Sequence, residues 1–230
     1  MNNKNKILVG CLALLLVLSV GYAYFSDTIT ITGTATAKGN FDITTTCDPG
    51  LTSKLGTAES LGLPKEGGYK NDSCSVVDDT VSFQAEFEYL TAVRYFTVKL
   101  TNNGSIDSSV NIDEISNAVK NATATQACLI DKSTGEETCD QADNLFLTNI
   151  FALMPAATED KEGNFYIGDE VSKFVDSNGE NIILKPGQSL YVIAVANIPD
   201  AANEAEQALY DKYYIKYSFS SKFTFNQVTN

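Results

Sequence analysis

The chain has 230 residues, a net charge of −13, no histidine and no tryptophan. Without histidine, Ser-His-Asp and Cys-His nucleophiles and HExxH zinc proteases are excluded. The acid excess opposes nucleic acid and anionic lipid, which need clustered Lys and Arg.

The first element reads as an export signal. Lys4 and Lys6 precede an apolar run from Ile7 to Val20, and the small-x-small triplet Gly21-Tyr22-Ala23 follows, so cleavage is expected between Ala23 and Tyr24. The run is short for a span and lacks a second charged flank, which makes a retained anchor the weaker alternative. Leu8-Val9-Gly10-Cys11 looks like a lipobox, but it lies inside the apolar core, where cleavage would leave a greasy segment on the product. Loss of residues 1–23 removes two lysines and no acid, so the charge of −13 becomes −15. The expected plan is a signal peptide over 1–23, an N-terminal strand over 24–39 and one β-sandwich domain over 40–230. About two hundred residues suffice for a single well-filled core.

Strict alternation follows the leader. Ile29, Ile31, Gly33, Ala35 and Ala37 share one face, and Thr28, Thr30, Thr32, Thr34 and Thr36 the other. Such a strand can pair within its own domain. It can also lie along an open sheet edge of a second copy, burying both isoleucines, and head-to-tail contacts of that kind do not close but grow filaments.

Further strands recur at intervals of about ten residues. Val81, Phe83, Ala85, Phe87 and Tyr89 lie on one parity, opposite Ser82, Gln84, Glu86 and Glu88. Phe96, Val98 and Leu100 alternate with Thr97, Lys99 and Thr101. The turn Asn102-Asn103-Gly104-Ser105 then predicts a hairpin, with Val110 and Ile112 starting the return. Asp143–Met154 suits either a helix or two short strands, ended by Pro155. Asp176-Ser177-Asn178-Gly179 is a turn into Ile182–Leu184, and Pro186-Gly187 breaks the chain before the apolar run Leu190–Ala196. Residues 201–212 are rich in helix formers. In the closing strand Tyr213, Ile215, Tyr217, Phe219, Phe223 and Phe225 share a face that belongs in the middle of the core, since each buried large side chain contributes roughly 1.5–3 kcal/mol. Strand residues dominate and no repeat period is present, so the expected fold is all-β: a jelly-roll-like two-sheet antiparallel sandwich with one or two short helices in connections.

Four cysteines remain beyond the leader, an even number that suits two disulfides in an exported chain. Of three connectivities the reading favours Cys128–Cys139, clamping a hairpin around Lys132-Ser133-Thr134-Gly135, and Cys47–Cys74, closing the Gly/Ser/Lys-rich excursion between them. A zinc site is disfavoured by the absence of CxxC spacing and of histidine. Asp176-x-Asn178-x-Glu180 begins like a calcium loop, but Asn181 stands where an EF-hand needs glycine. Asp78-Asp79 and Asp113-Glu114 read as solvated loop charges. Asn71, Asn103 and Asn121 open glycosylation sequons. GxSxG, P-loop and GxGxxG motifs are absent; paired carboxylates for glycoside hydrolysis are the residual enzymatic alternative. The expectation is therefore a non-enzyme without cofactor or metal.

Several stretches resemble one family. Ala23-Tyr24-Phe25-Ser26-Asp27, then Thr36-Ala37-Lys38-Gly39-Asn40-Phe41-Asp42-Ile43, is similar to the SipW-type signal and mature N-terminus of TasA/camelysin proteins, which read A-x-F-x-D and A-x-G-x-L-D-L. Phe96–Ile106 looks like that family's strand-NNGSL turn, Leu184-Lys185-Pro186-Gly187 like its L-x-PG lead-in, and Ile215–Gln227 like its closing strand. Phe41 replaces the usual leucine, and the cysteines and the 47–74 stretch have no counterpart. The resemblance implies a secreted jelly-roll subunit of fibres in a biofilm matrix or on the cell surface. Copies would join by donor-strand exchange, with Thr28, Ile29, Thr30, Ile31, Thr32, Gly33, Thr34 and Ala35 as the donor. Implied partners are other copies, a related minor fibre or anchoring protein, and a signal peptidase, with membrane contact only before cleavage. The alternative is a monomeric surface adhesin or carbohydrate-binding sandwich.

Overall fold

The structure is a computed structural model that describes residues 39–78, 80–89, 91–111, 115, 124–140, 151–197 and 204–228. The expected leader, the expected cleavage residues Gly21, Ala23 and Tyr24, and the candidate donor strand Thr28–Ala35 lie outside the described residues. So do Asp79, Ile112, Asp113, Glu114, Asn121 and residues 143–150.

Two five-stranded antiparallel sheets form a sandwich. In the first, β1 (Ile43–Pro49), β4 (Val93–Asn102), β11 (Ser189–Asn197), β8 (Phe151–Glu159) and β9 (Phe165–Ile167) lie in the order β1-β4-β11-β8-β9. In the second, β2 (Tyr69–Val77), β3 (Thr80–Phe87), β12 (Tyr213–Lys222), β6 (Ala124–Asp131) and β7 (Glu137–Asp140) lie in the order β2-β3-β12-β6-β7. A smaller third sheet, which the sequence reading did not foresee, orders β10 (Asn181–Leu184), β5 (Ser108–Asn111) and β13 (Asn226–Gln227) as β10-β5-β13. One short helix, α1 (Glu204–Lys212), lies on the connection into β12.

Alternation places the core between the two large sheets. Val81, Phe83, Ala85 and Phe87 of β3 and Ile215, Tyr217 and Phe219 of β12 face Phe96, Val98 and Leu100 of β4 and Leu190, Val192 and Ala194 of β11. Phe83 and Phe96 meet across the sheets with ring centroids 5.2 Å apart. As expected of its aromatic face, β12 is the central strand of its sheet.

Both disulfides join the expected partners. Cys128 and Cys139 are directly cross-strand in the β6–β7 hairpin, with Cα atoms 4.0 Å apart. Cys47 and Cys74 link β1 to β2, one edge of each large sheet, at 5.8 Å. The hairpin turn is held by Asp131, whose Oδ1 accepts the Ser133 and Thr134 amides. Asp176 does the same in its turn, accepting from the amides of Asn178 and Glu180 and from Asn181 Nδ2. Its carboxylate is thus engaged by the turn that leads into β10.

Four expectations need correction. β4 is buried on both faces, not one, as is the apolar run of β11: Val93, Tyr95, Tyr191 and Ile193 form a second core with Leu55 and with the half-buried Leu51, Ala58, Leu61 and Leu63. The stretch between Cys47 and Cys74 therefore supplies an apolar cover for the outer face of the first sheet. Pro155 does not end its segment, because β8 runs through it. The register slips between Tyr191 and Val192, leaving Ala156 as the extra residue of a bulge. β9 pairs only with Ala157–Glu159, so among the described residues Pro155 sits at the sheet edge, where a missing N–H is tolerated. Asn102–Ser105 does not make a hairpin, since β5 leaves β4 and pairs with β10 and β13 instead. Tyr89 is not a core residue: β3 stops at Phe87, and Tyr89 is 50 % exposed.

Candidate functional site

Three stretches far apart in sequence meet where the chain leaves the N-terminal segment. The Asn103 and Gly104 amides donate to the Asp42 carbonyl, the Ser105 amide to the Asn40 carbonyl, and the Asn40 amide to Ser105 Oγ at 2.8 Å. Gly104 is required by closeness: a Cβ there would lie 2.3 Å from the Asn40 carbonyl oxygen. The turn itself is held by Asn102, which is fully buried. Its Nδ2 donates to the carbonyls of Ile106 and Leu184, both at 2.8 Å, and its Oδ1 accepts the Gly104 amide. The Gly187 amide closes the set on the Asn102 carbonyl at 2.7 Å. Every polar atom of the Asn102 side chain is therefore used, as burial of an amide demands. The Asn40–Asp42, Asn102–Ser105 and Leu184–Gly187 stretches form one hydrogen-bonded junction.

Beside this junction lies a cleft of about 370 Å³ lined by Phe41, Asp42, Ile43 and Thr45 on one side and Lys222, Phe223, Thr224 and Phe225 on the other. Phe41 is 41 % exposed, one of few large apolar side chains in that state. Phe223–Phe225 lie between β12 and β13 and, among the described residues, belong to no strand ladder. Among the described residues β1 pairs with β4 alone. The site thus combines the apolar side chains Phe41, Ile43, Phe223 and Phe225 with extended backbone of the kind that accepts another strand.

Two polar clusters hold the surroundings. Arg94, nearly buried, pairs with Glu66 and with Asp72 of β2 and stacks on Tyr69 at 4.2 Å. It joins the two sheets on the same side as Cys47–Cys74. On the outer face of the first sheet, Glu159 accepts from Lys54, from Lys99 at 3.1 Å and from Tyr191 OH at 2.6 Å. Burial pushes the Glu159 carboxyl up, but the bonds from Lys54, Tyr191 and Lys99 outweigh it and hold it at about 2. Burial and the bond to Glu159 raise the Tyr191 phenol to about 12. The folded chain binds the Glu159 proton less tightly than the unfolded chain does. Its contribution is therefore complete above the ordinary glutamate range and lost as pH falls from about 4.5 towards 2. Discounted for the exposure of both lysines, it is roughly 1–2 kcal/mol. Urea unfolding of wild type and Glu159→Gln is expected to show that gap at pH 6 and near-equal stability at pH 2.

Among the described residues the one tight group of metal-ligating atom types is Cys128, Glu137 and Cys139. Its sulfurs are bonded to each other, and Glu137 pairs with Lys216. A further cavity, of about 880 Å³, is lined by the excursion residues Leu51, Ala58 and Leu63 together with Glu59, Lys65 and Glu66. No helix among the described residues is long and apolar enough to cross a membrane.

The structure therefore defines a disulfide-stapled antiparallel β-sandwich whose chain is pinned at Asn40–Asp42. Comparison with protein-family models, curated proteins and solved structures finds no match to the chain. Asn102, Arg94 and Glu159 escaped the sequence reading. Asn102 carried a turn signal that concealed its burial, and a charged residue inside a strand marks burial only once its partners are known.

Proposed function

We propose that the protein is a secreted structural subunit of extracellular fibres, assembled by insertion of residues 28–35 of one copy beside the Phe41–Thr45 edge of the next. The observation that carries this reading is the junction. It fixes the chain at Asn40–Asp42, immediately after the alternating Thr/Ile segment and next to a cleft whose lining includes Phe41, Ile43, Phe223 and Phe225, beside a strand, β1, that pairs among the described residues with β4 alone. The sequence resemblance to TasA/camelysin proteins supports the same function, and the two disulfides suit an oxidising, extracellular setting.

Phe41→Asp places a charge on the cleft floor at an exposed position. Negative-stain electron microscopy is expected to show fibres for wild type and none, or only short ones, for Phe41→Asp, with melting temperatures within a few degrees. Fibres of normal length from Phe41→Asp would remove the cleft from assembly.

A further inference from the structure

A second cleft, remote in the fold from the junction, lies where β3 ends and α1 meets β12. It measures about 390 Å³ and is lined by Glu88, Tyr89, Lys132, Tyr210, Asp211 and Tyr214. Tyr89 is its platform. The phenol ring lies directly on Gly68, where a Cβ would come within 2.7 Å of Tyr89 Cζ and 2.6 Å of the Ala92 Cβ. Gly68 adopts φ +70°, its carbonyl accepts the Glu88 amide at 2.7 Å, and the neighbouring Gly67 bridges Val93. The backbone beneath the ring is therefore fixed. The ring packs against it, while the residue remains 50 % exposed. A large side chain held in place yet half open to water contributes little to the core.

The polar groups around the ring limit what it can take. Lys132 Nζ donates to the Tyr210 carbonyl at 2.5 Å and to the Glu88 carbonyl at 3.2 Å, so its ammonium already has acceptors. It also lies 5.2 Å from the Tyr214 ring centroid, and Lys70 lies 4.3 Å from the same ring. Glu88 and Asp211 also line the cleft. With the chain at −13 overall, an anionic ligand is repelled. A half-exposed aromatic ring beside an acidic residue such as Glu88 matches a pyranose ring, whose axial C–H groups stack on an aromatic while its hydroxyls donate to an acid.

From this arrangement we infer that the cleft binds a neutral polysaccharide, with Tyr89 as the stacking platform and Glu88 as a hydroxyl acceptor. The inference is independent of fibre formation.

Affinity electrophoresis of the purified chain in gels containing hydroxyethyl cellulose, galactomannan or soluble poly-N-acetylglucosamine tests it. Wild type is expected to be retarded by at least one of the three. Tyr89→Ala is expected to bind on the order of tenfold more weakly, the loss of one aromatic stack. Tyr89→Phe should keep most of the retardation, and Glu88→Gln should lose part of it with an unchanged melting temperature. Free migration of wild type in all three gels would overturn the proposal, as would equal retardation of Tyr89→Ala and Tyr89→Phe. Fibres seen by electron microscopy in the same preparations report on assembly separately, so either idea can fail alone.

Discussion

Deleting Tyr24–Ala37 is expected to abolish fibres and leave a folded monomer. The described domain begins at Gly39, and among the described residues the inter-sheet core starts at Cys47 and the outer core at Leu51. The junction is built from Asn40, Asp42, Asn102–Ser105 and Gly187, all of which the deletion spares. The stability of the truncated chain should therefore stay within about 1 kcal/mol of wild type, the scale of a change outside the core. Assembly, in contrast, should vanish altogether, because the deleted residues carry both the ladder hydrogen bonds and the isoleucines of the proposed contact. Electron microscopy and analytical ultracentrifugation of the two chains read the outcome directly. Fibres from the truncated chain would sink the donor-strand reading, and a truncated chain that unfolds would show that the segment completes its own sandwich.

The second large effect concerns stability. Replacing Cys47 and Cys74 together by serine is expected to cost about 3.5 kcal/mol, from the loop-closure entropy released when residues 27 apart are freed in the unfolded chain. The loss also has a structural side. That bond ties β1 to β2 across the two sheets, and the excursion it closes carries Leu51, Leu55, Ala58, Leu61 and Leu63 over Tyr95, Tyr191 and Ile193. Without it, Arg94 with Glu66 and Asp72 is, among the described residues, what holds the seam by side-chain charge. Limited proteolysis should then cut first between residues 50 and 66. The Cys128/Cys139 double serine variant should lose less, because the separation is 11 and the hairpin keeps its Asp131-capped turn. Urea unfolding at pH 7 compares the two, and a Cys47/Cys74 variant within about 1 kcal/mol of wild type would contradict the argument.

Much of the fold was legible because alternation is a local signal. The faces of β3, β12 and the inner side of β4 follow from period two, and both cysteine pairings follow from the hairpin between one pair and the excursion between the other. Pro155 misled because a bulge and a sheet edge, neither visible locally, accommodate it in β8. Tyr89 misled because parity says where a strand would point a side chain but not where the strand stops.

The alternating Thr/Ile segment, the apolar leader and the absence of histidine are properties of the chain itself, and they are what directs the reading towards an exported, polymerising β protein. Only the tertiary structure decided that Asn40–Asp42, Asn102–Ser105 and Leu184–Gly187 form one junction, that β4 is buried on both faces, and that Tyr89 lies open on Gly68. The reason is range. Periodicity reports the two faces of a single strand, whereas burial of Asn102 or exposure of Tyr89 depends on groups distant in sequence, such as the Leu184 carbonyl 82 residues from Asn102.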